Sequence, residues 1–253
     1  MTTLMNHPVL VFVVTFAGLW LAGRIGEAFR LRRPEMTDAE HDDFGMILTA
    51  TLTLLGLIIG FTFSMAISRY DQRKNYEEAE ANAIGTEYVR ADLLPNENAE
   101  KVRQLLKLYV EQRILFYETR KEKELEQLNA RIGELQEQLW EAVKNPALQQ
   151  PSPIQALAVA GMNDVLNSQG YTQAAWWNRI PTAAWGLMWA IAICCNAMLG
   201  YFVHPAARHW VRVIVMPLVV AVSFFLISDI DSPRSGVIEV IPQNLQSLAG
   251  TMK

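Results

Sequence analysis

Four stretches of the chain carry no Asp, Glu, Lys or Arg: residues 2–23, 44–68, 180–203 and 213–228. Crossing about 30 Å of hydrocarbon takes roughly 20 apolar residues in a helix. The second and third stretches, Phe44–Ser68 and Ile180–Val203, meet that length unaided. Thr2–Gly23 is long enough, although its strongly apolar part begins at Pro8. Val213–Ser228 has 16 residues and needs Arg212 to reach outward from one end. The pattern therefore predicts four transmembrane helices.

Between the second and third stretches the pattern changes. Residues 69–145 hold 13 basic and 16 acidic residues, one Pro and few Gly, with Glu, Leu, Gln, Arg and Ala predominating. Those are helix formers. The second span is expected to run on as one helix to about Leu94, with Pro95 ending it and Asn96 capping the next. Val102, Leu105, Tyr109 and Phe116 then form one apolar stripe. Leu125, Leu128, Ile132, Leu135 and Leu139 follow at heptad spacing, which fits either a hairpin packed on the first helix or a coiled-coil-like seam between subunits. Asn145–Pro153 reads as a loop, and Ile154–Ser168 as a helix ended by Gln169-Gly170. Trp176-Trp177 sit where interfacial anchors would stand.

The fold class expected is thus all-α, a polytopic membrane protein with a helical soluble insert. Its parts are a first transmembrane hairpin (1–68), the insert (69–179), a second hairpin (180–229) and a C-terminal tail (230–253). The first span lacks the preceding basic region of a signal peptide and has bulky residues at Leu19-Trp20-Leu21, so it is expected to be retained.

Composition sharpens this picture. Charged residues make up 19% of the 253, below the roughly 25% of soluble domains. With a net charge of −4 and no basic block, nucleic acid is not an expected partner. Cys194 and Cys195 are adjacent inside the third span, where neither a disulfide framework nor a zinc site fits. His7, His41, His204 and His209 are scattered and form no metal motif. No P-loop, dinucleotide fingerprint or nucleophile elbow occurs, so neither enzyme activity nor a cofactor is expected. The short loops hold six Arg (Arg24, Arg30, Arg32, Arg33, Arg208, Arg212) against five basic residues near the opposite span ends. The positive-inside rule then puts the termini and the insert outside the cytoplasm.

Within the second span, Thr49, Thr53, Gly56, Gly60 and Ser64 fall on one helical face. Gly56 and Gly60 form a G-x-x-x-G pair suited to close helix packing. The same face suits a pore wall, with Thr53, Leu57, Phe61 and Ser64 lining it, Leu57 and Phe61 narrowing it, and Arg69 at its mouth. Asp229 and Asp231, at the end of the fourth span, are either a candidate cation site or the capped turn that stops the helix. The acidic run Glu77, Glu78 and Glu80 reads first as a solvated face.

Leu55-Gly56-Leu57-Ile58-Ile59-Gly60-Phe61-Thr62-Phe63-Ser64-Met65-Ala66, Ser68-Arg69-Tyr70-Asp71, Glu80-Ala81-Asn82-Ala83-Ile84-Gly85-Thr86, Arg90-Ala91-Asp92-Leu93-Leu94-Pro95 and Asp229-Ile230-Asp231-Ser232-Pro233-Arg234-Ser235-Gly236 together resemble a family of bacterial bestrophin-like membrane proteins. True bestrophins are pentameric anion channels whose second helix carries Gly-Phe and, seven residues on, Arg and an aromatic. Gly60-Phe61 and Arg69-Tyr70 match that pattern. The resemblance implies a homo-oligomeric, pentameric channel in a bacterial inner membrane, with chloride as the permeant ion and the lipid bilayer around it. It also implies a neck at Thr53, Leu57 and Phe61, where Thr53 departs from the family's apolar residue. Two further departures stand out. Bestrophins keep their helical region in the cytoplasm, and the acidic calcium clasp of animal bestrophins has no counterpart beyond Asp229, Asp231 and Glu239. The competing expectation is a non-conducting scaffold or signalling protein that binds a partner through the insert.

Overall fold

The computed structural model describes residues 5, 7–32, 36–202 and 209–252. Arg33 and Arg208, used above for orientation, and His204 lie outside the described residues. The described residues form α-helices joined by short turns, with no strand: α1 (Pro8–Arg30), α2 (Asp38–Arg90), a 3-10 turn (Ala91–Leu93), α3 (Asn96–Glu118), α4 (Glu122–Gln149), α5 (Pro153–Trp177), α6 (Thr182–Phe202), α7 (His209–Asp231) and α8 (Gln243–Thr251). Among the described residues, four candidate spans are long and apolar enough to cross a membrane. The chain divides into two compact units, one of residues 1–68 and 179–238, the other of 69–178 and 239–253.

α1, α2 and α7 overrun their uncharged stretches, whereas α6 stays within its own. α1 starts with Pro8 at its first turn and continues to Arg30. It absorbs Arg24 and Glu27 as an exposed pair one turn apart, at 2.9 Å. α2 begins at Asp38 because Thr37 and Glu40 form a reciprocal capping box: the Thr37 amide donates to Glu40 Oε2 at 2.8 Å, and the Glu40 amide to Thr37 Oγ1 at 3.4 Å. The Thr37 amide and the Thr37 hydroxyl, which donates to the same oxygen at 3.0 Å, hold the Glu40 carboxyl below its ordinary range. α1 packs against α6 and α7, and α6 against α7.

Glycine permits the tightest of these contacts. A Cβ on Gly26 would run into the backbone of Ala197, and one on Gly200 into the backbone of Gly23. Backbones this close need bare α-carbons on the facing helix. A Cβ on Gly56 or Gly60 would meet nothing within 4 Å among the described residues. The close packing inside the chain therefore belongs to Gly23, Gly26 and Gly200.

The second unit is a helical core. Val102, Leu105, Tyr109 and Phe116 of α3 are buried, as are Leu128, Ile132, Leu135 and Leu139 of α4, with Leu125 partly covered by the same core. The heptad-spaced stripe thus closes the insert's own core, α4 packing on α3 and α5. Trp176 corrects the expectation of an interfacial anchor. It is buried and meets Phe116 and Tyr117 edge-on at 5.2 and 5.4 Å, while Trp177 is exposed.

Three helix ends differ from the sequence expectation. α4 runs through Asn145 and Pro146 to Gln149, the proline being buried inside the helix. The break comes at Gln150–Ser152, where Ser152 Oγ accepts from the Gln155 amide at 3.1 Å and Pro153 opens α5. Gly170 does not end α5, because Thr172, Ala175 and Trp176 beyond it are buried in register. Asn96 is the first helical residue of α3 rather than its cap, which is Pro95 with no side-chain bond.

The acidic run differs most. Glu78 is exposed, but Glu77 and Glu80 are buried. Both Glu80 and Arg113 are fully buried and joined by two hydrogen bonds: Arg113 Nε donates to Glu80 Oε1, and Nη2 to Oε2 at 3.1 Å. Thr172 Oγ1 stands 3.1 Å from Glu80 Oε2, and the Tyr117 hydroxyl 3.5 Å. Glu77 caps α8, accepting from the Leu245 amide at 2.9 Å and from Asn244 Nδ2 at 2.6 Å. Burial raises the phenols of Tyr109 and Tyr117, with the Glu80 carboxylate adding to it, so both stay neutral. For Arg113, burial works against its charge, but Glu80 outweighs it.

Two outcomes are expected. Gly200→Leu should cost about 1–3 kcal/mol by forcing α1 and α6 apart, read as a lower melting temperature in detergent. Replacing Glu80 alone by Leu should cost about 3–5 kcal/mol by leaving Arg113 charged and unpaired. Pairing that change with Arg113→Met should recover part of the loss in the same denaturation assay.

Candidate functional site

Along its span, α2 divides into two faces. Leu48, Leu55, Thr62 and Ala66 are buried against the chain. Thr53, Gly56, Leu57, Gly60, Phe61 and Ser64 are all exposed. At 1.5 Å per residue, Thr53 and Phe61 stand about 12 Å apart along the axis. The most apolar window of this helix is only 11% buried within the chain, against 33% for that of α1. A helix in lipid gains nothing by exposing bare glycine backbone and hydroxyls there. This face has the composition of a surface that meets water or other helices.

The threonine hydroxyls on the face are already spent as donors. Thr49 Oγ1 donates to the Gly45 carbonyl at 2.8 Å, and Thr53 Oγ1 to the Thr49 carbonyl at 2.9 Å. Each oxygen keeps its acceptor side toward the exposed surface. Between Thr53 and Ser64 no residue carries a charge. Arg69, eight residues beyond Phe61, is half-buried and has an interaction of its own, so it is not a free cation.

Asp229 and Asp231 occupy a different place in the first unit. Asp229 accepts from the Val237 amide at 2.7 Å and the Ile238 amide at 2.9 Å, one on each oxygen. Asp231 accepts from Arg179 Nε at 3.1 Å and the Ile180 amide at 3.2 Å. Ser232 Oγ adds a contact with Arg179 Nη2 at 3.0 Å. A Cβ on Gly236 would strike the Asp229 carbonyl, so the Ser232–Gly236 turn closes only with glycine there. Both carboxylates are engaged by N–H groups at the end of α7 and in the following turn. Among the described residues, no group of three His, Cys, Asp or Glu could hold a metal ion.

The sequence reading passed over two features. Gly23, Gly26 and Gly200 lack a local spacing signal for their mutual contact, since the partners lie on helices far apart in sequence. Glu80 and Arg113 sit 33 residues apart, with nothing local to join them.

The profile of the Bestrophin-like domain matches residues 9–245, nearly the whole chain. The chain belongs to the Bestrophin-like family. Its fold matches that of a bacterial bestrophin homologue from Klebsiella pneumoniae. One structure of that protein, phased on zinc, aligns with a TM-score of 0.62 at 14% identity, covering 96% of this chain and 98% of the other. A tryptophan-to-alanine variant of it aligns with a TM-score of 0.63 at 12% identity, covering 95% and 97%. A membrane protein solved as a glycine-to-alanine variant gives 0.62 at 14% identity over 96% and 98%. No curated protein matches. At these identities the likeness is one of fold: an all-α bestrophin fold in a membrane protein.

If Asp229 is a turn-holding group, Asp229→Asn should lower stability by about 1–3 kcal/mol, since one amide loses its acceptor. Added calcium should leave the melting temperature of the unaltered protein unchanged. A calcium-dependent rise that the variant lacks would mark a cation site instead.

Proposed function

We propose that this Bestrophin-like protein is an oligomeric ion channel whose pore is lined by α2. The observation that carries the reading is the exposed line of Thr53, Leu57, Phe61 and Ser64, flanked by Gly56 and Gly60, on a span helix that its own chain leaves largely uncovered. Several copies of that helix around an axis would give the small residues a neighbour and the hydroxyls water. Leu57 and Phe61 would form a hydrophobic neck, where two rings of bulky side chains gate by dewetting. Thr53 would wet the level above them, and Arg69 would sit at the mouth.

Family membership supports the channel class. Anion conduction, chloride as the ion and five copies rest on the resemblance to bestrophins. The setting is a bacterial inner membrane, and the count of arginines in the short loops supports an insert outside the cytoplasm. The scaffold alternative needs a free apolar face on Leu125–Leu139, and that face is spent on the insert's own core. No catalysis forms part of the reading.

Leu57→Ala and Phe61→Ala should each raise anion flux from liposomes reconstituted with purified protein, or weaken selectivity among halides, by several-fold. Gly133→Ala, in the insert with open space around it, serves as the control. Unchanged flux in both neck variants would remove α2 from the pore.

A further inference from the structure

The carboxyl of Glu87 is buried on the insert face of α2 and makes no hydrogen bond among the described residues. Glu87 is fully buried, and neither of its oxygens has a hydrogen-bond partner. Its carboxyl lies in a notch on α5 left by Gly161, where a Cβ would collide with Glu87 Oε2 and crowd Arg90. An ionised carboxylate without donors in such a place costs far more than a neutral acid.

The charges around it do not cancel that cost. Arg90, on its own helix, favours the ionised form, and Asp164, on α5, opposes it. Asp92, in the 3-10 turn that also packs on α5, is paired with Arg103. On α4, Glu141 is paired with Lys144 at 2.6 Å. α8 (Gln243–Thr251) has no titratable side chain. Burial outweighs Arg90 and pushes the Glu87 carboxyl up to about 8. A groove of about 630 Å³ between α2 and α8 reaches Arg90 and brings water to within one turn of Glu87.

We propose that Glu87 is a proton-operated latch between α2 and α5: protonated, it sits in the Gly161 notch, and on losing its proton to water it leaves the notch and the two helices lose that contact. The O–H bond breaks, the proton passes to solvent, and the carboxylate turns toward Arg90. The sign follows from linkage. The folded chain keeps a proton that the unfolded chain releases near the ordinary Glu range, so this contribution to stability falls as pH rises through that range toward 8 and is flat above it. The latch concerns the insert alone and stands whether or not the protein conducts.

The test is infrared difference titration of the full-length protein in lipid nanodiscs, with hydrogen exchange corrected for its intrinsic pH dependence. A protonated-carboxyl band should persist at neutral pH and disappear near pH 8. It should be absent from Glu87→Gln. Exchange protection of residues 81–90 and 157–165 should be lost above that pH in the unaltered protein and kept in Glu87→Gln. Gly161→Ala fills the notch, and its band should vanish already in the ordinary Glu range. No band in the unaltered protein at neutral pH, a band that survives in Glu87→Gln, or protection unchanged across the transition would each overturn the latch.

Discussion

A carboxylate inside an apolar core survives only if other parts of the chain bring it donors, and the insert is organised around that requirement. The insert half of α2 buries Arg73, Glu77, Glu80 and Glu87 alongside Ala81 and Ile84. Glu80 takes two bonds from Arg113 on α3 and has the hydroxyls of Thr172 on α5 and Tyr117 on α3 beside it. Glu77 accepts from the Leu245 amide and the Asn244 side chain in the first turn of α8. Each bond is directional, whereas apolar packing tolerates sliding by a turn. Replacing such a pair with apolar groups is often neutral in energy, so its value here is better sought in fixing register than in raw stability. Glu87 is the exception that shows the rule, being buried without donors and therefore held as a neutral acid.

The membrane-associated unit follows a different logic, since lipid offers no hydrophobic drive for helices to associate. Close backbone contact supplies the attraction. Gly23 and Gly26 on α1 meet the α6 backbone near Ala197 and Gly200. Trp185 and Phe224 fill the space between α6 and α7 edge-on at 5.9 Å. α2 invests little in its own unit: only Leu48, Leu55, Thr62 and Ala66 of its span are buried. Its other face combines glycines, hydroxyls and two bulky side chains. That mixture is poor as a lipid-facing surface, which is why the proposed channel sets a neighbouring copy of the helix against it.

The four spans were legible because the absence of charge over 16 to 25 residues is a strong, local signal. Their ends were less so. Arg24, Glu27, Asp229 and Asp231 looked like boundaries, yet all lie within helices because each finds a partner. Pro146 and Gly170 looked like breaks. Burial of Val143 and of Pro146 itself, and of Thr172, Ala175 and Trp176 beyond Gly170, accompanies the helix through each, outweighing a weak local preference. The burial of Glu77 and Glu80 could not be read at all. Their donors lie 168, 92 and 33 residues away, and an acidic run with distant partners has the same local appearance as a solvated one. The face of α2 was legible from spacing alone, but what meets that face is a property of the assembly and not of one chain.

The proposed pore also bears on how such a channel would choose its ion. No fixed charge lies between Thr53 and Ser64, and Arg69 is half-buried and engaged. A neck of this kind has no ring of cations with which to attract anions. It would discriminate by the cost of dehydration, letting through ions that shed water easily and holding back those that do not. The threonine hydroxyls, donating along the helix, turn acceptor lone pairs outward and give an anion no compensating donor. Selectivity would then follow hydration energy, a weaker and more permissive filter than one built from charge. Anion preference, where present, would have to come from the field at the mouths rather than from the neck.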